Sequence, residues 1–390
     1  MNVRKNKLVS LAALGLVGGL ALAGCGGGSD EGNGGNGGGS GASDNGGASA
    51  GGYAELTGNL AGSGASSMQN AQTAWTESFM GLVGAEGGDL TVTYDPTGSG
   101  TGREQFLNGT VLFAGSDAAM DEEELAAGVD RCYGGEVIEM PLYISPIAVA
   151  FNLPGVDAEN INMDAETIAG IFMGEITSWN DPAIAEANPD LELPDTPVIP
   201  VNRSDDSGTT ENFTEYLSEA AGDVWTHGPI ETWPIAGTQS GAQTSGVVDV
   251  IQGAEGAIGY IDASRVEDGI GTVAVGVGEE YVPFSPEAAA AIIDASPAAE
   301  GATDLRLTID LARDTTESGT YPIVLVSYSI ACSTYENEAD AANVKAYFEY
   351  VASPEGQDRA AQPDVAGSAP ISDDLRERVT AALEQITVAG

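Results

Sequence analysis

The chain has 390 residues, of which 42% are hydrophobic, enough for one large domain or two medium ones with buried cores. It carries 59 acidic and 13 basic residues, so its formal net charge is −46 at pH 7. Because nucleic acids are bound by basic surfaces, this charge argues against a nucleic acid as partner, and any anion must be held by local geometry.

Residues 1–24 have the layout of a secretory signal peptide, in which basic residues precede the apolar residues 8–23. That stretch is too short and too rich in glycine for a permanent membrane span. It ends in Leu-Ala-Gly-Cys, which resembles a bacterial lipoprotein box and implies that Cys25 is lipidated. We therefore expect an exported lipoprotein on the outer face of the cell membrane, the alternative being an incidental cysteine.

Residues 25–55 contain the lipidated cysteine and a Gly/Ser-rich stretch with almost no apolar side chain to bury. This composition is typical of a flexible tether, which predicts that the folded body begins near Leu56.

The rest of the chain alternates short apolar runs with helical patterns, which predicts an α/β fold with a largely parallel sheet. The predicted strands are residues 90–94, 111–115, 143–152, 196–201 and 321–330. Two helices are predicted to bury one face each, through Met68, Ala71, Trp75 and Phe79, and through Val344, Tyr347, Phe348 and Val351.

Three turns rich in glycine and hydroxyls each lie between a predicted strand and a helix: residues 61–68, 96–102 and 203–210. One such turn is weak evidence, because Gly and Ser are common in ordinary turns. Three together indicate an anion site, since helix N-termini present unpaired N–H groups and a positive dipole end. A tetrahedral anion is the ligand that this pattern favours.

Several other kinds of site do not fit the sequence. No Gly-Lys-Ser/Thr follows the glycines, and Arg103 interrupts the dinucleotide-binding frame. His227 is the only histidine, so a Ser-His-Asp triad and a zinc cluster both lack residues. We predict no cofactor, no metal, no catalytic residue and no enzymatic activity.

Several segments resemble, in order and spacing, the phosphate-binding proteins of bacterial phosphate-specific ABC transporters. They are GSGTGREQFLNGTVLFAGSDAAM, YISPIAVAFNLPGV, IFMGEITSWNDPAI, RSDDSGTTENF and GAIGYIDASRV, in a body that the resemblance covers from about Leu56 to the C-terminus. The resemblance implies a two-lobed periplasmic-binding-protein fold (type II), with a central mixed sheet and flanking helices in each lobe. Lobe 1 would comprise residues 56–151 and 324–390 and lobe 2 residues 152–323, with hinges near Asn152 and Ile323.

The resemblance also implies a set of phosphate ligands: Ser66, Ser67, Ser99, Asp117, Arg203, Ser207, Gly208 and Thr209. The chain departs from the family pattern, which has a Thr-Phe pair here, at Ser67. Ser67 can still contribute its backbone N–H. We expect Arg203 to give a bidentate fork to the anion and Asp205 to orient that guanidinium.

Asp117 is the residue that suggests specificity. A buried carboxylate only accepts hydrogen bonds, so it tolerates monohydrogen phosphate, which has a proton to donate, and rejects sulfate, which has none. Taken alone, Asp117 could instead be a helix N-cap, Arg203 a surface ion pair, and Ser207 and Thr209 caps.

Cys132 and Cys332 remain after Cys25 is assigned to lipid. Their spacing fits no zinc pattern, so in an exported chain we expect a disulfide, with free thiols as the alternative. Both cysteines fall in the predicted lobe 1, where a disulfide would not block closure.

The expected partners are inorganic phosphate, the permease subunits and the ATPase of an ABC importer, and the membrane through the lipid anchor. We expect a monomer. The alternatives are a binding protein for arsenate, sulfate or molybdate, a secreted phosphatase, and a surface adhesin or sensor that kept the fold and lost the ligand.

Overall fold

The computed structural model describes residues 52–156 and 158–390. The predicted signal peptide, Cys25 and nearly all of the tether lie outside the described residues, so lipidation stays a prediction. Within the described part, no helix is both long and apolar enough to cross a membrane.

The described residues form thirteen strands, most of them short. They are β1 Thr57–Gly64, β2 Asp89–Asp95, β3 Phe113–Ser116, β4 Val137–Phe151, β5 Asn160–Met163, β6 Ile199–Arg203, β7 Gln239–Gly241, β8 Ala257–Asp262, β9 Gly271–Val277, β10 Glu280–Val282, β11 Val324–Cys332, β12 Thr334–Tyr335 and β13 Thr387–Val388. All five predicted strands correspond to one of these. A strand before the first glycine-rich turn was expected but was given no bounds, because β1 has few β-branched or aromatic residues. β1 extends to Gly64, so residues 61–64 are strand, although the sequence analysis assigned them to the turn.

Eleven α-helices lie in the same described residues. They are α1 Gln69–Glu86, α2 Ser99–Leu107, α3 Glu122–Arg131, α4 Ala165–Phe172, α5 Pro182–Ala187, α6 Gly208–Ala220, α7 Gln243–Gly253, α8 Pro286–Ala295, α9 Glu338–Ala352, α10 Pro354–Ala361 and α11 Asp373–Leu383. Side-chain caps fix many of their starts, such as the capping box that joins Asp121 and Glu124 at α3. Asp117 is therefore not the cap of this helix.

Eleven of these strands form one curled, mixed sheet, with the order β2-β1-β3-β11-β4-β8-β6-β7. We call half 1 the part built on β2, β1, β3, β11 and residues 137–146 of β4. Half 2 is built on residues 147–151 of β4 with β8, β6 and β7, and with β9, β5 and β10.

The predicted sheet was largely parallel, and this is wrong at the centre. β4 pairs antiparallel with both β11 and β8, and β11 pairs antiparallel with β3. An apolar run that is buried on both faces looks the same in either strand direction, so the sequence pattern could not distinguish them. Parallel pairs occupy the outer positions on both sides.

β4 runs through both halves. It leaves β11 after Pro146 and joins β8 from Ile147, where the Ile147 N–H also donates to the Ile323 carbonyl at 2.7 Å. The segment between α8 and β11 returns to half 1, because Leu307 donates to the Glu139 carbonyl and the Arg306 Nε lies 2.6 Å from a Glu139 carboxylate oxygen. The lobe boundaries at residues 151–152 and 323–324 stay a prediction.

The core contains the two helical faces that the sequence predicted. All eight of those side chains are fully buried. Cys132, which ends α3, and Cys332, at the end of β11, form a disulfide that closes a sequence separation of 200 residues. The predicted disulfide is confirmed, and it joins two elements of half 1.

Candidate functional site

The three glycine-rich turns meet where the halves face each other. The first two pack tightly, since a Cβ on Gly102 would lie 2.3 Å from the Cα of Gly64. The third approaches the second, because a Cβ on Gly98 would lie 2.9 Å from an Asp205 carboxylate oxygen and 3.7 Å from the Arg203 Nη2. Glycine is needed at position 98 for a second reason, its φ of +101°.

These turns lead into the helices α1, α2 and α6, so three helix N-termini point into one region. Their first N–H groups have no partner inside the helix, and each N-terminus carries roughly half a positive charge. Ser207 is the N-cap of α6, with its Oγ accepting from the Thr210 N–H at 3.3 Å. The cap interpretation of Ser207 is thus correct, and it leaves the N–H groups of Gly208 and Thr209 available to a ligand.

Asp117 follows β3 and is 3% exposed. Its carboxylate accepts hydrogen bonds from three hydroxyls: Ser67 at 2.7 and 2.9 Å from the two oxygens, Ser327 at 2.7 Å from Oδ1, and Thr209 at 2.8 Å from Oδ2. Its backbone N–H donates to Ser99 Oγ at 3.1 Å. Four predicted ligands, Ser67, Ser99, Asp117 and Thr209, therefore lie in direct contact.

Burial raises the pKa of Asp117, while the hydroxyls of Ser327, Ser67 and Thr209 and the charge of Arg203 act against that rise. Gly208 lies directly against this aspartate, because a Cβ at position 208 would be 2.8 Å from the Asp117 Cβ. Only glycine allows α6 to approach so closely.

Arg203 ends β6, is 3% exposed, and makes a bidentate pair with Asp205: Nε to Oδ1 at 2.9 Å and Nη2 to Oδ2 at 2.5 Å. Burial acts to raise the pKa of Asp205, but the hydrogen bonds and charge of Arg203 and the Gln243 N–H outweigh it and lower that pKa. Asp205 thus holds one edge of the guanidinium, as expected of an orienting carboxylate.

A cluster of aromatic side chains packs against the loop of residues 203–210. The Tyr260 ring stacks on Phe213 with centroids 4.5 Å apart, and its hydroxyl contacts the Arg203 N–H at 3.2 Å and the Thr210 Oγ1 at 2.8 Å. The loop is therefore fixed at both ends by one buried tyrosine.

Ser66 lies beside the cluster around Asp117 and bonds to half 2. Its Oγ is 2.9 Å from the Thr244 Oγ1 and accepts the Thr244 N–H at 3.1 Å. Thr244 lies in the first turn of α7, just after the Gly/Ser-containing end of β7, and Gln243, the first residue of α7, has a φ of +59°. This is a fourth turn of the same kind. The sequence analysis did not select this turn, although its Ser-Gly-Ala-Gln-Thr run has the same character.

Two buried arginines that the sequence analysis left without a role connect the halves. Arg103 of α2 is bidentate to Glu231 at 2.9 and 3.0 Å and also contacts Glu124 at 2.8 Å. Arg313 donates to the Asn212 side-chain oxygen at 2.5 Å, and the Asn212 amide donates to the Asp117 carbonyl at 2.5 Å. Ion pairs so far apart in sequence leave no local pattern.

The arrangement suits a small anion with hydrogen-bond acceptors. Around it stand one guanidinium, serine and threonine hydroxyls and the N–H groups of three helix starts. In the part of the chain that the structure describes, no group of three or more His, Cys, Asp or Glu side chains could hold a metal ion. Beside Asp117 lies a cavity of 320 Å³, lined also by Glu211 and Arg313.

The chain is similar in sequence and in fold to proteins that are named as phosphate-binding proteins. A profile of the PBP superfamily domain matches residues 46–355. The chain is 32% identical to "Phosphate-binding protein PstS 2" of Mycobacterium tuberculosis over 98% of its own length and 99% of the relative's. It is 32% identical to "Phosphate-binding protein PstS 3" of Mycobacterium leprae, with 96% and 98% covered. A phosphate-binding protein of Stenotrophomonas maltophilia has the same fold, with a TM-score of 0.65, 19% identity, and 83% and 94% coverage.

Proposed function

Because this chain belongs to the phosphate-binding proteins of the PBP superfamily, we propose that it captures inorganic phosphate outside the cell and delivers it to an ABC permease. The observation that carries the proposal is the meeting of three helix N-termini with Arg203 and Asp117 in one buried cluster. A basic surface is not needed, since the charges that matter are local.

The charges of the side chains and helix N-termini around the site indicate how it would hold a dianion. Arg203 contributes +1, and Asp205 and Asp117 contribute −1 each, so the side chains sum to −1. Three helix N-termini add about +0.5 each, roughly +1.5 in all. The positive charge that faces the anion would therefore come mainly from oriented N–H groups, which need no reorganisation when it binds, and it would balance only part of the charge of a dianion.

The hydrogen bonds refine the roles that the predicted ligands would have. Ser67 and Thr209 already donate their hydroxyls to Asp117, so they would offer phosphate their backbone N–H groups. Arg203 would use the edge of its guanidinium away from Asp205. Ser66, Ser99, Ser207 and Gly208 complete the proposed set, with hydroxyl or N–H donors.

Asp117 would accept the proton of monohydrogen phosphate. A carboxylate has about four lone-pair sites, and three hydroxyl hydrogens point at this one, which leaves one place. Arsenate has a proton of the same kind, whereas sulfate and molybdate have none at neutral pH. We propose that phosphate and arsenate bind and that the other two anions do not.

We also propose the two lobes, residues 56–151 with 324–390 and residues 152–323, with closure by rotation about the crossing segments. The contacts of Arg103 with Glu231 and of Ser66 with Thr244 would form on closure. Lipidation at Cys25 would hold a monomeric protein beside the permease and its ATPase on the outer face of the membrane. The protein would release phosphate unchanged and would catalyse no reaction.

The test is calorimetric titration of the mature chain, residues 25–390 with Cys25→Ala, after removal of bound phosphate with a scavenging enzyme. We expect one-to-one binding of phosphate and arsenate, and no heat with sulfate or molybdate. Binding of sulfate without binding of phosphate, or a folded chain that binds none of these anions, would contradict the proposal. Hydrolysis of p-nitrophenyl phosphate would show instead that the protein is a phosphatase.

Two serine variants supply a matched comparison. Ser99→Ala removes a hydroxyl at the start of α2, inside the site, and should weaken phosphate binding about tenfold. Ser372→Ala removes a hydroxyl that caps α11, which packs on α9 in half 1, and should leave the phosphate affinity unchanged.

A further inference from the structure

Ser327 is the one donor to Asp117 that comes from a strand and lies outside the predicted ligand set. It belongs to β11, is 0% exposed, and its Oγ lies 2.7 Å from the Asp117 Oδ1. β11 is hydrogen-bonded on both sides, to β3 and to β4. The pairing with β3 begins at Tyr328, and Ser327 itself pairs with Tyr143 of β4, next to a shift in register. Because the backbone of Ser327 belongs to this central strand, the serine is held in the sheet and does not line the cleft as the helix starts do.

The other two donors differ in this respect. Ser67 precedes α1, and Thr209 lies in the first turn of α6, so both belong to elements that face the proposed anion. Thr209 reaches Asp117 from half 2 and would leave it whenever the halves separate. Ser327 is thus the donor that holds the carboxylate from inside the sheet of half 1, and its contact would persist when the proposed lobes separate.

This geometry decides which oxygen of Asp117 meets the ligand. Oδ1 is turned toward β11, and Oδ2 is turned toward Thr209 and the N-terminus of α6. Without Ser327 the carboxylate could rotate, and its buried charge would lose the hydroxyl that opposes the effect of burial most strongly. A carboxyl group that gained a proton would become a donor, which sulfate can use.

We propose that Ser327 is a positioning residue for anion specificity: it holds Oδ1 of Asp117, so that an ionised Oδ2 is the single acceptor for the proton of monohydrogen phosphate. This inference rests on the proposed function and deepens it.

The test compares Ser327→Ala with Ser329→Ala in the mature chain. Ser329 lies on the same strand, is also 0% exposed, and its hydroxyl has no hydrogen-bond partner among the described residues. Both changes remove one buried hydroxyl from β11, but only the first removes a bond to Asp117. Affinities for phosphate and for sulfate are measured by calorimetry at pH 6, 7 and 8.

We expect Ser327→Ala to reduce the ratio of phosphate to sulfate affinity about tenfold or more, chiefly by allowing sulfate to bind, and most strongly at pH 6. Ser329→Ala should leave the ratio within about threefold, because it removes no bond to the carboxylate. Where alanine at position 327 does not fold, Ser327→Cys offers a weaker donor of similar size and should change the ratio in the same direction.

The pH comparison has to account for the other groups near Asp117. Arg203 reaches it from β6 and Tyr94 from β2, and burial holds the pKa of Tyr94 well above neutral. Glu211 of α6 lines the same cavity, and burial with the charge of Glu231 raises its pKa to about 7. Both serine variants share these groups, so only the difference between the variants reports on Ser327.

A ratio that is unchanged in a folded Ser327→Ala protein, or that falls equally in both serine variants, would overturn the role of Ser327 and leave phosphate binding intact. If the unmodified chain fails to bind phosphate at all, the proposed function fails first. The two failures are therefore distinguishable from the same set of titrations.

Discussion

Asp117→Asn tests the specificity argument most directly. The change keeps the size of the side chain and replaces one carboxylate oxygen by an amide nitrogen, which donates where the carboxylate accepted. Three hydroxyls surround the carboxylate, from Ser67, Thr209 and Ser327. Hydroxyls can turn to accept from an amide, so the variant can keep its fold while losing the place for the phosphate proton.

The expected magnitude follows from two contributions. A hydrogen bond to a charged acceptor contributes about 1.5–3 kcal/mol, so phosphate affinity should fall about 10- to 150-fold. Sulfate should gain about tenfold or more, because the amide nitrogen can donate to a sulfate oxygen where the carboxylate could only accept. The charge repulsion from the carboxylate is common to both dianions at pH 8 and does not change their ratio. Together these effects should lower the ratio of phosphate to sulfate affinity by at least about a hundredfold.

The assay is competitive calorimetry at pH 8, where phosphate is mainly the monohydrogen form. Asp121→Asn is the control, because it removes a carboxylate four residues away, from the N-cap of α3, where asparagine also caps well. Phosphate and sulfate affinities of the control should match those of the unmodified protein. A ratio that stays within about threefold in Asp117→Asn would refute the view that a buried acceptor rejects sulfate.

Four further changes have defined outcomes. Arg203→Ala should weaken phosphate binding at least about a hundredfold in calorimetry, and micromolar affinity in that variant would exclude its role. Replacing Cys132 and Cys332 by alanine should lower the free energy of unfolding, measured in urea, by about 5 kcal/mol, because the disulfide closes a loop over a sequence separation of 200 residues. The phosphate affinity should be retained, because this disulfide lies within half 1. Arg103→Met removes the ion pair that Arg103 of half 1 makes with Glu231 of half 2, and it should weaken phosphate binding roughly tenfold or more. Phosphate should also dissociate faster in stopped-flow measurements, and an unchanged dissociation rate would contradict the view that this ion pair holds the closed form together. Burial raises the pKa of Glu211 to about 7, so the folded state binds more protons than the unfolded state between about pH 4.5 and 7. The stabilisation that Glu211 contributes at low pH is therefore lost as the pH rises through that window. Glu211→Gln should flatten the fall of the free energy of unfolding over the same pH range.

The sequence predicted the local features of this molecule better than the long-range ones. The order of turns, strands and helices around Ser99, Asp117 and Arg203 follows from glycine, hydroxyl and apolar patterns that span a few residues each. The disulfide was predictable despite its length, because export and cysteine count leave few choices. The antiparallel direction of β4 relative to its neighbours could not be predicted, because a strand that is buried on both faces has the same apolar pattern in either direction.

The detailed chemistry of Asp117 was beyond the sequence for a related reason. Ser327 is 210 residues away, and a serine within a strand of buried residues looks like any small core residue. The same holds for Arg313, which reaches Asp117 through Asn212. Their roles depend on which elements the fold brings together, and no local pattern records that.

The path of β4 through both halves limits how such proteins can be recombined. A fragment that begins at residue 152 would lack the strand that separates β8 from β9, and both strands would then expose unpaired backbone edges. Exchange of one half between two relatives therefore needs its junction inside β4, between Pro146 and Ile147, and a second one beside Ile323. Chimeras cut in the loops that follow β4 would inherit a broken sheet.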